Sequence, residues 1–84
     1  MKILCWNIAG IRASLKRRDF DFLLDSDYDV ICIQETKATR EQGEKALSDN
    51  LKDKYSWRIW NSTKGTTQRK GFSGTSIWSS ERPI

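Results

Sequence analysis

Histidine is absent from this chain, which excludes imidazole as a general base supplied by these residues. Cysteine is scarce. Cys5 and Cys32 are the only two, and they lack the C-x-x-C spacing of a zinc or redox site. Each lies inside an apolar run, where a reduced thiol packs as a small hydrophobe. No apolar stretch is long enough to span a bilayer, and no signal peptide is recognisable. These absences lead us to expect no membrane partner and an intracellular location, nuclear in a eukaryote or cytoplasmic in a prokaryote. Internal repeats, low-complexity tracts and linkers are also missing.

What is present begins with charge. Lys and Arg number 15 against 11 Asp and Glu, a net charge of +4. A basic excess favours a polyanionic partner such as nucleic acid. The length allows one small domain or part of a larger one. A chain of this size buries only about 60–65% of the surface its unfolded form exposes.

The pivotal stretch is Val30-Ile31-Cys32-Ile33-Gln34-Glu35-Thr36-Lys37. Its apolar half reads as a strand, Asp29 to Gln34, buried on both faces. It ends abruptly in polar groups, and open α/β sheets bind ligands at the C-terminal ends of their strands. Lys2 to Trp6 reads as an earlier strand that stops at Asn7, with Gly10 in a tight connection. Between the two, Ser14 is a candidate N-cap, and Phe20, Leu23 and Leu24 mark an amphipathic helix of roughly ten residues. Strand, helix and strand in this span make a βαβ unit with parallel strands. Asn7 and Glu35 are then expected at the same end of adjacent strands.

Further on, Thr39 and Gln42 fit a capping box. Ala46, Leu47 and Leu51 extend that start into one surface helix, despite Gly43, which costs about 1 kcal/mol relative to alanine. Tyr55 to Trp60 reads as a half-exposed strand, and Asn61 to Gly71 as a polar loop carrying Lys64, Arg69 and Lys70. Thr75 to Trp78 resumes a strand, and Ser79 to Pro83 reads as a turn. Trp57, Trp60 and Trp78 are read as core.

Three blocks carry chemistry: Trp6-Asn7-Ile8-Ala9-Gly10-Ile11-Arg12-Ala13, Ile33-Gln34-Glu35-Thr36-Lys37 and Gly71-Phe72-Ser73-Gly74. With them in this order, the chain resembles the N-terminal part of the exonuclease III class of apurinic/apyrimidinic (AP) DNA-repair endonucleases. These belong to the wider endonuclease/exonuclease/phosphatase superfamily. The resemblance runs through to Pro83 and Ile84. It implies an α/β fold, the N-terminal part of a four-layer sandwich in which two β-sheets pack face to face with helices outside.

The resemblance also implies Mg²⁺-dependent hydrolysis of double-stranded DNA on the 5′ side of an abasic site, with Mn²⁺ as an alternative metal and 3′–5′ exonuclease activity as a companion. Glu35 would hold the metal, and Asn7 would orient its catalytic neighbours. A hard cation held by one or two carboxylates plus water and phosphate oxygens suits Glu35. Arg12 and Ala13 match positions that lie against the DNA backbone, and Lys37 matches a lysine beside the metal. Gly71 and Phe72 match a loop that enters the minor groove, where an aromatic wedge helps unstack DNA.

Two departures qualify the match. Ala9 stands where many family members have aspartate or asparagine. The second is length, because a complete family domain supplies its histidine and further acidic residues from later segments. The chain is therefore expected to be a partial domain, residues 1–84, that does not cleave abasic DNA by itself and pairs with a missing C-terminal portion. Two other readings stay open: a non-catalytic nucleic-acid-binding module, and another phosphodiesterase or phosphatase of the same superfamily.

Overall fold

In the computed structural model, residues 1–61 and 74–82 are described. Their elements are β1 (Ile3–Asn7), α1 (Ile11–Lys16), a 3-10 helix (Asp21–Asp25), β2 (Val30–Gln34), α2 (Arg40–Ala46), α3 (Asp49–Lys54), β3 (Trp57–Asn61) and β4 (Thr75–Ser79). The strands form one mixed sheet in the order β1-β2-β4-β3. β1 and β2 are parallel, as the βαβ reading requires, while β4 runs antiparallel to both β2 and β3.

Strand alternation divides the sheet into two unlike faces. On one face the register aligns Leu4, Ile31, Trp78 and Arg58 in one row and Trp6, Ile33, Ser76 and Trp60 in the next. Ile31, Ile33 and Trp78 are fully buried there beneath Ile11, Phe20, Leu23, Leu47, Leu51 and Tyr55 from the helical layer. Phe20 packs on Trp6 and Trp78 with ring centroids 4.8 and 5.4 Å apart, and Tyr55 closes the cluster at 6.3 Å from Trp78.

The other face has no helices over it among the described residues. Its rows are Ile3, Val30, Ser79 and Trp57, then Cys5, Cys32, Ile77 and Ile59, then Asn7, Gln34, Thr75 and Asn61. Ile3, Trp57, Ile59 and Ile77 are all exposed. The continuous apolar run of β2 is therefore covered on one side only, since Val30 and Cys32 are half-buried. Trp57 likewise falls outside the core, with the Arg82 guanidinium 5.7 Å from its ring centroid. The described residues thus form one sheet and one helical layer, two of the layers expected of the sandwich.

The helices depart from expectation in two places, each for a local reason. Ser14 does not cap α1. It is buried within α1, whose N-cap is Gly10. The helix then stops at Arg17, because Arg18 takes a left-handed conformation (φ 66°). The Arg18 N–H bonds to the Leu15 carbonyl and the Asp19 N–H to the Ser14 carbonyl, both at 3.0 Å. That pair of bonds is the Schellman stop. The chain re-forms as the 3-10 helix, where the carbonyls of Leu23 and Leu24, and of Ser26 just past its end, all accept from Lys54 Nζ.

The second departure concerns the middle helix, which is two helices. Thr39 caps α2 through the expected box: Thr39 Oγ1 accepts from Gln42 N–H at 3.2 Å, and Gln42 Oε1 accepts from Thr39 N–H at 3.0 Å. Leu47 is extended, and Ser48 starts α3 by accepting the Leu51 N–H. The break lets Leu47 and Leu51 both reach the core.

Candidate functional site at the end of the parallel strands

The frame of the site is main chain. Beyond the last register pair, Asn7 with Gln34, the two strands do not separate. Ile8 N–H donates to the Gln34 carbonyl at 3.3 Å, Gly10 N–H to the Glu35 carbonyl at 2.8 Å and Ile11 N–H to the Thr36 carbonyl at 2.9 Å. From the opposite side, Thr36 N–H donates to the Gly74 carbonyl at 3.1 Å. Glu35 is thereby held between the loop after β1 and the start of β4.

This clasp is strained. Ala9, Glu35 and Lys37 have positive φ values of 52°, 56° and 51°. Each such residue costs on the order of 1 kcal/mol, and strain of this kind persists where the surroundings over-determine the backbone. Two glycines relieve the neighbouring positions. Gly10 has φ 116° with open space around it, whereas Gly74 has φ 127° and lies so close to Thr36 that an added Cβ would stand 2.7 Å from Oγ1.

Within this frame Asn7 Nδ2–H donates to Glu35 Oε2 at 2.5 Å. The bond engages one carboxylate oxygen and turns the asparagine amide toward the carboxylate. Asn7 is exposed and Glu35 half-buried, so the pair is open to a ligand. Alongside it, a cleft of about 360 Å³ is lined by Gly10, Ile11, Arg12, Ala13, Thr36 and Lys37. Arg12 Nη2 donates to the Lys37 carbonyl at 3.4 Å, which draws the guanidinium across the cleft.

Five of the seven residues that the sequence motifs point to, Asn7, Glu35, Arg12, Ala13 and Lys37, therefore gather at one corner of the sheet. Gly71 and Phe72 lie outside the described residues, as do Pro83 and Ile84. Thr36 joins the site without a motif role of its own. It is buried, and its Oγ1 has no hydrogen-bond partner among the described residues. Its position between Glu35 and Lys37 is the only sequence signal for it.

Among the described residues no three His, Cys, Asp or Glu side chains cluster. Glu35 is the one carboxylate at this corner, and its second oxygen and the Asn7 carbonyl oxygen are hard donors. A single carboxylate of this kind suits a hard divalent cation that keeps several waters, and it does not suit a closed zinc site, which takes four protein ligands.

Comparison with known proteins identifies the family. The Endonuclease/Exonuclease/phosphatase family model matches residues 4–84, and the chain belongs to that family. It is 35% identical to an exodeoxyribonuclease of Bacillus subtilis over 100% of its own length and 30% of the relative's. It is 33% identical to the DNA repair nuclease APEX1 of Danio rerio, again over 100% of its length and 26% of the relative's. Among solved structures, the APE2 catalytic domain of Xenopus laevis superposes with a TM-score of 0.62 at 33% identity, over 94% of this chain and 23% of that one. The fold is thus the N-terminal part of the AP endonuclease fold, and the chain spans less than a third of the relatives it matches. No helix among the described residues is long and apolar enough to cross a membrane.

Proposed function

We propose that this chain is the metal-holding and DNA-facing part of a DNA-repair nuclease that hydrolyses the phosphodiester 5′ to an abasic site with Mg²⁺. The observation that carries the reading is the Asn7–Glu35 hydrogen bond at the common end of β1 and β2. Glu35 would hold the metal, and Asn7 fixes the rotamer of the carboxylate. A bound Mg²⁺, or Mn²⁺ in its place, supplies neutralisation of the charge growing on the scissile phosphate or leaving oxygen.

Arg12, Ala13 and Lys37 surround the adjoining cleft and position the duplex by its phosphates, which carries no sequence information. Gly71 and Phe72 are assigned to the minor groove on the family pattern alone. The partner is double-stranded DNA with an abasic site. An imidazole base is not available from this chain, which has no histidine, and would come from the rest of the enzyme.

The test is a nicking and binding assay on a duplex with one abasic site, against the intact duplex. The chain is used alone and together with the remaining segment of the Bacillus subtilis relative. Alone, it binds without turnover, and Glu35→Gln abolishes the effect of Mg²⁺ on that binding. Together, nicking appears 5′ to the lesion. Binding indifferent to Mg²⁺ and to Glu35 would sink the reading, and turnover by the chain alone would overturn the division of labour.

A further inference from the structure

Thr36 brings to the cleft a hydrogen-bonding group that no other described residue consumes. It lies between two left-handed residues, Glu35 and Lys37, where three chain segments meet. Its N–H donates to the Gly74 carbonyl at 3.1 Å, and its carbonyl accepts from the Ile11 N–H at 2.9 Å. The residue is 1% exposed and lines the cleft with Arg12 and Lys37. Its Oγ1 has no hydrogen-bond partner among the described residues. A buried hydroxyl without a partner leaves its desolvation cost uncompensated, and an orphan of this kind calls for an explanation. Valine has nearly the same shape and would fill the place without that cost. The position therefore keeps a polar atom that the free protein does not use.

We propose that the Thr36 hydroxyl is an uncharged phosphate ligand, donating to a non-bridging phosphate oxygen seated in the cleft between Arg12 and Lys37. The inference rests on the reading of this cleft as DNA-facing and adds to it one residue and a neutral kind of contact. The ligand is an anion because the two ionisable side chains lining the cleft are both cationic. Neither is paired with a carboxylate among the described residues, whereas Lys2, Arg17 and Arg18 pair with Asp27, Asp19 and Asp21.

Threonine hydroxyls are ordinary partners of phosphate oxygens. A side chain whose polar atom is unbonded loses no hydrogen bond in turning about χ1 between staggered positions to meet such a ligand. The bare Cα of Gly74 leaves Oγ1 its room, since a Cβ there would stand 2.7 Å away. Enclosure strengthens the contact once made, because a hydrogen bond gains strength in a low dielectric.

The experiment follows binding of the full chain to a labelled duplex by fluorescence anisotropy over a salt series, and urea unfolding with and without inorganic phosphate. Thr36→Val is expected to unfold at the same or a higher urea concentration than the unsubstituted chain, since it loses only an unbonded hydroxyl. Its duplex affinity falls about three- to tenfold, the worth of one net hydrogen bond. The fall is the same at every salt concentration, because a neutral contact releases no counterion. Thr36→Ser keeps the hydroxyl and the affinity. If the cleft also takes free phosphate, that ion raises the unfolding midpoint of the unsubstituted and Thr36→Ser chains more than that of Thr36→Val. Discrimination by the duplex alone assigns the contact to a phosphodiester.

Equal responses of the Thr36→Val and unsubstituted chains to duplex and to phosphate would overturn the proposal. So would a changed salt slope in Thr36→Val, which marks displaced cations, or a Thr36→Ser chain as weak as Thr36→Val. A Thr36→Val chain that unfolds early would overturn it too, by showing the hydroxyl already bonded in the free protein. Should the unsubstituted chain fail to bind duplex, the DNA reading falls by itself, and the phosphate response still decides for or against Thr36.

Discussion

Gly43 in α2 lies against the Trp60 indole, so closely that a Cβ built on it would stand 2.4 Å from Cη2 and 2.5 Å from Cζ3. An alanine at this helical position would gain about 1 kcal/mol of propensity. The rigid ring cannot give by the required ångström without dislodging β3, and overpacking of this kind costs typically 1–3 kcal/mol. Gly43→Ala is therefore expected to lower stability by up to about 2 kcal/mol, net of propensity, in urea titration. A stabilised variant would show that Trp60 does not occupy this place.

Glu44, next along α2, gathers the same region electrostatically. Arg58 Nε and Nη2 donate to its two oxygens at 2.7 and 2.9 Å, and Trp60 Nε1–H donates at 2.7 Å. The Arg58 guanidinium first, and then the Trp60 N–H, hold the Glu44 carboxyl below its ordinary 4.5, against burial, which pushes it up. A depressed folded value means stability present above 4.5 and lost as pH falls through that depressed value. Glu44→Gln is expected to cost about 1–2 kcal/mol at pH 7. The difference from the unsubstituted chain should close progressively below pH 4.5. Parallel unfolding curves across the acid range check both the cost and its direction.

Arg18 occupies the left-handed position of a Schellman stop, where glycine carries no Cβ penalty. Its ion pair with Asp21 spans 2.7 Å but is largely exposed, worth at most about 1 kcal/mol. Arg18→Gly is expected to leave stability unchanged or raise it by about 1 kcal/mol. A clear drop in thermal unfolding temperature would mean that the ion pair outweighs the backbone strain.

Arg12 is exposed at the mouth of the cleft and, among the described residues, tethered only through the Lys37 carbonyl. If it meets a DNA phosphate, Arg12→Ala should weaken duplex binding equally for different sequences. The slope of log K against log salt should also become shallower by about 0.9, the value for a single phosphate no longer neutralised. Fluorescence anisotropy over a salt series reads both quantities. An unchanged slope would remove Arg12 from the DNA surface.

The convergence of Asn7 and Glu35 is legible in the sequence because a parallel βαβ unit has few alternatives, and both residues end apolar runs. The Thr39–Gln42 box is legible for a similar reason, being a local motif with a fixed spacing. The end of α1 is not, since Arg18 fills a position that usually announces itself as glycine. Nor is the break between α2 and α3, where two extended residues, Leu47 and Ser48, interrupt an otherwise helical pattern. The Cys5–Cys32 pairing depends on strand register, a property of two segments jointly that neither reveals alone. Trp57 reads as core in the sequence because aromatic character says nothing about which face of a sheet is covered.

The ladder that runs on past Asn7 and Gln34, from Ile8 to the Thr36 carbonyl, bears on how the site can change over time. It uses only peptide groups, so the side chain at the exposed position 9 is loosely bound to the geometry, although Gly10 is held to glycine by its φ of 116° and Ile11 by the core. Ala9 illustrates the latitude: a methyl side chain occupies a left-handed position that asparagine and aspartate tolerate better, yet the hydrogen bonds on either side remain. A site built this way can exchange its peripheral side chains, and with them its affinity or substrate preference, while the distance between its asparagine and glutamate is inherited intact.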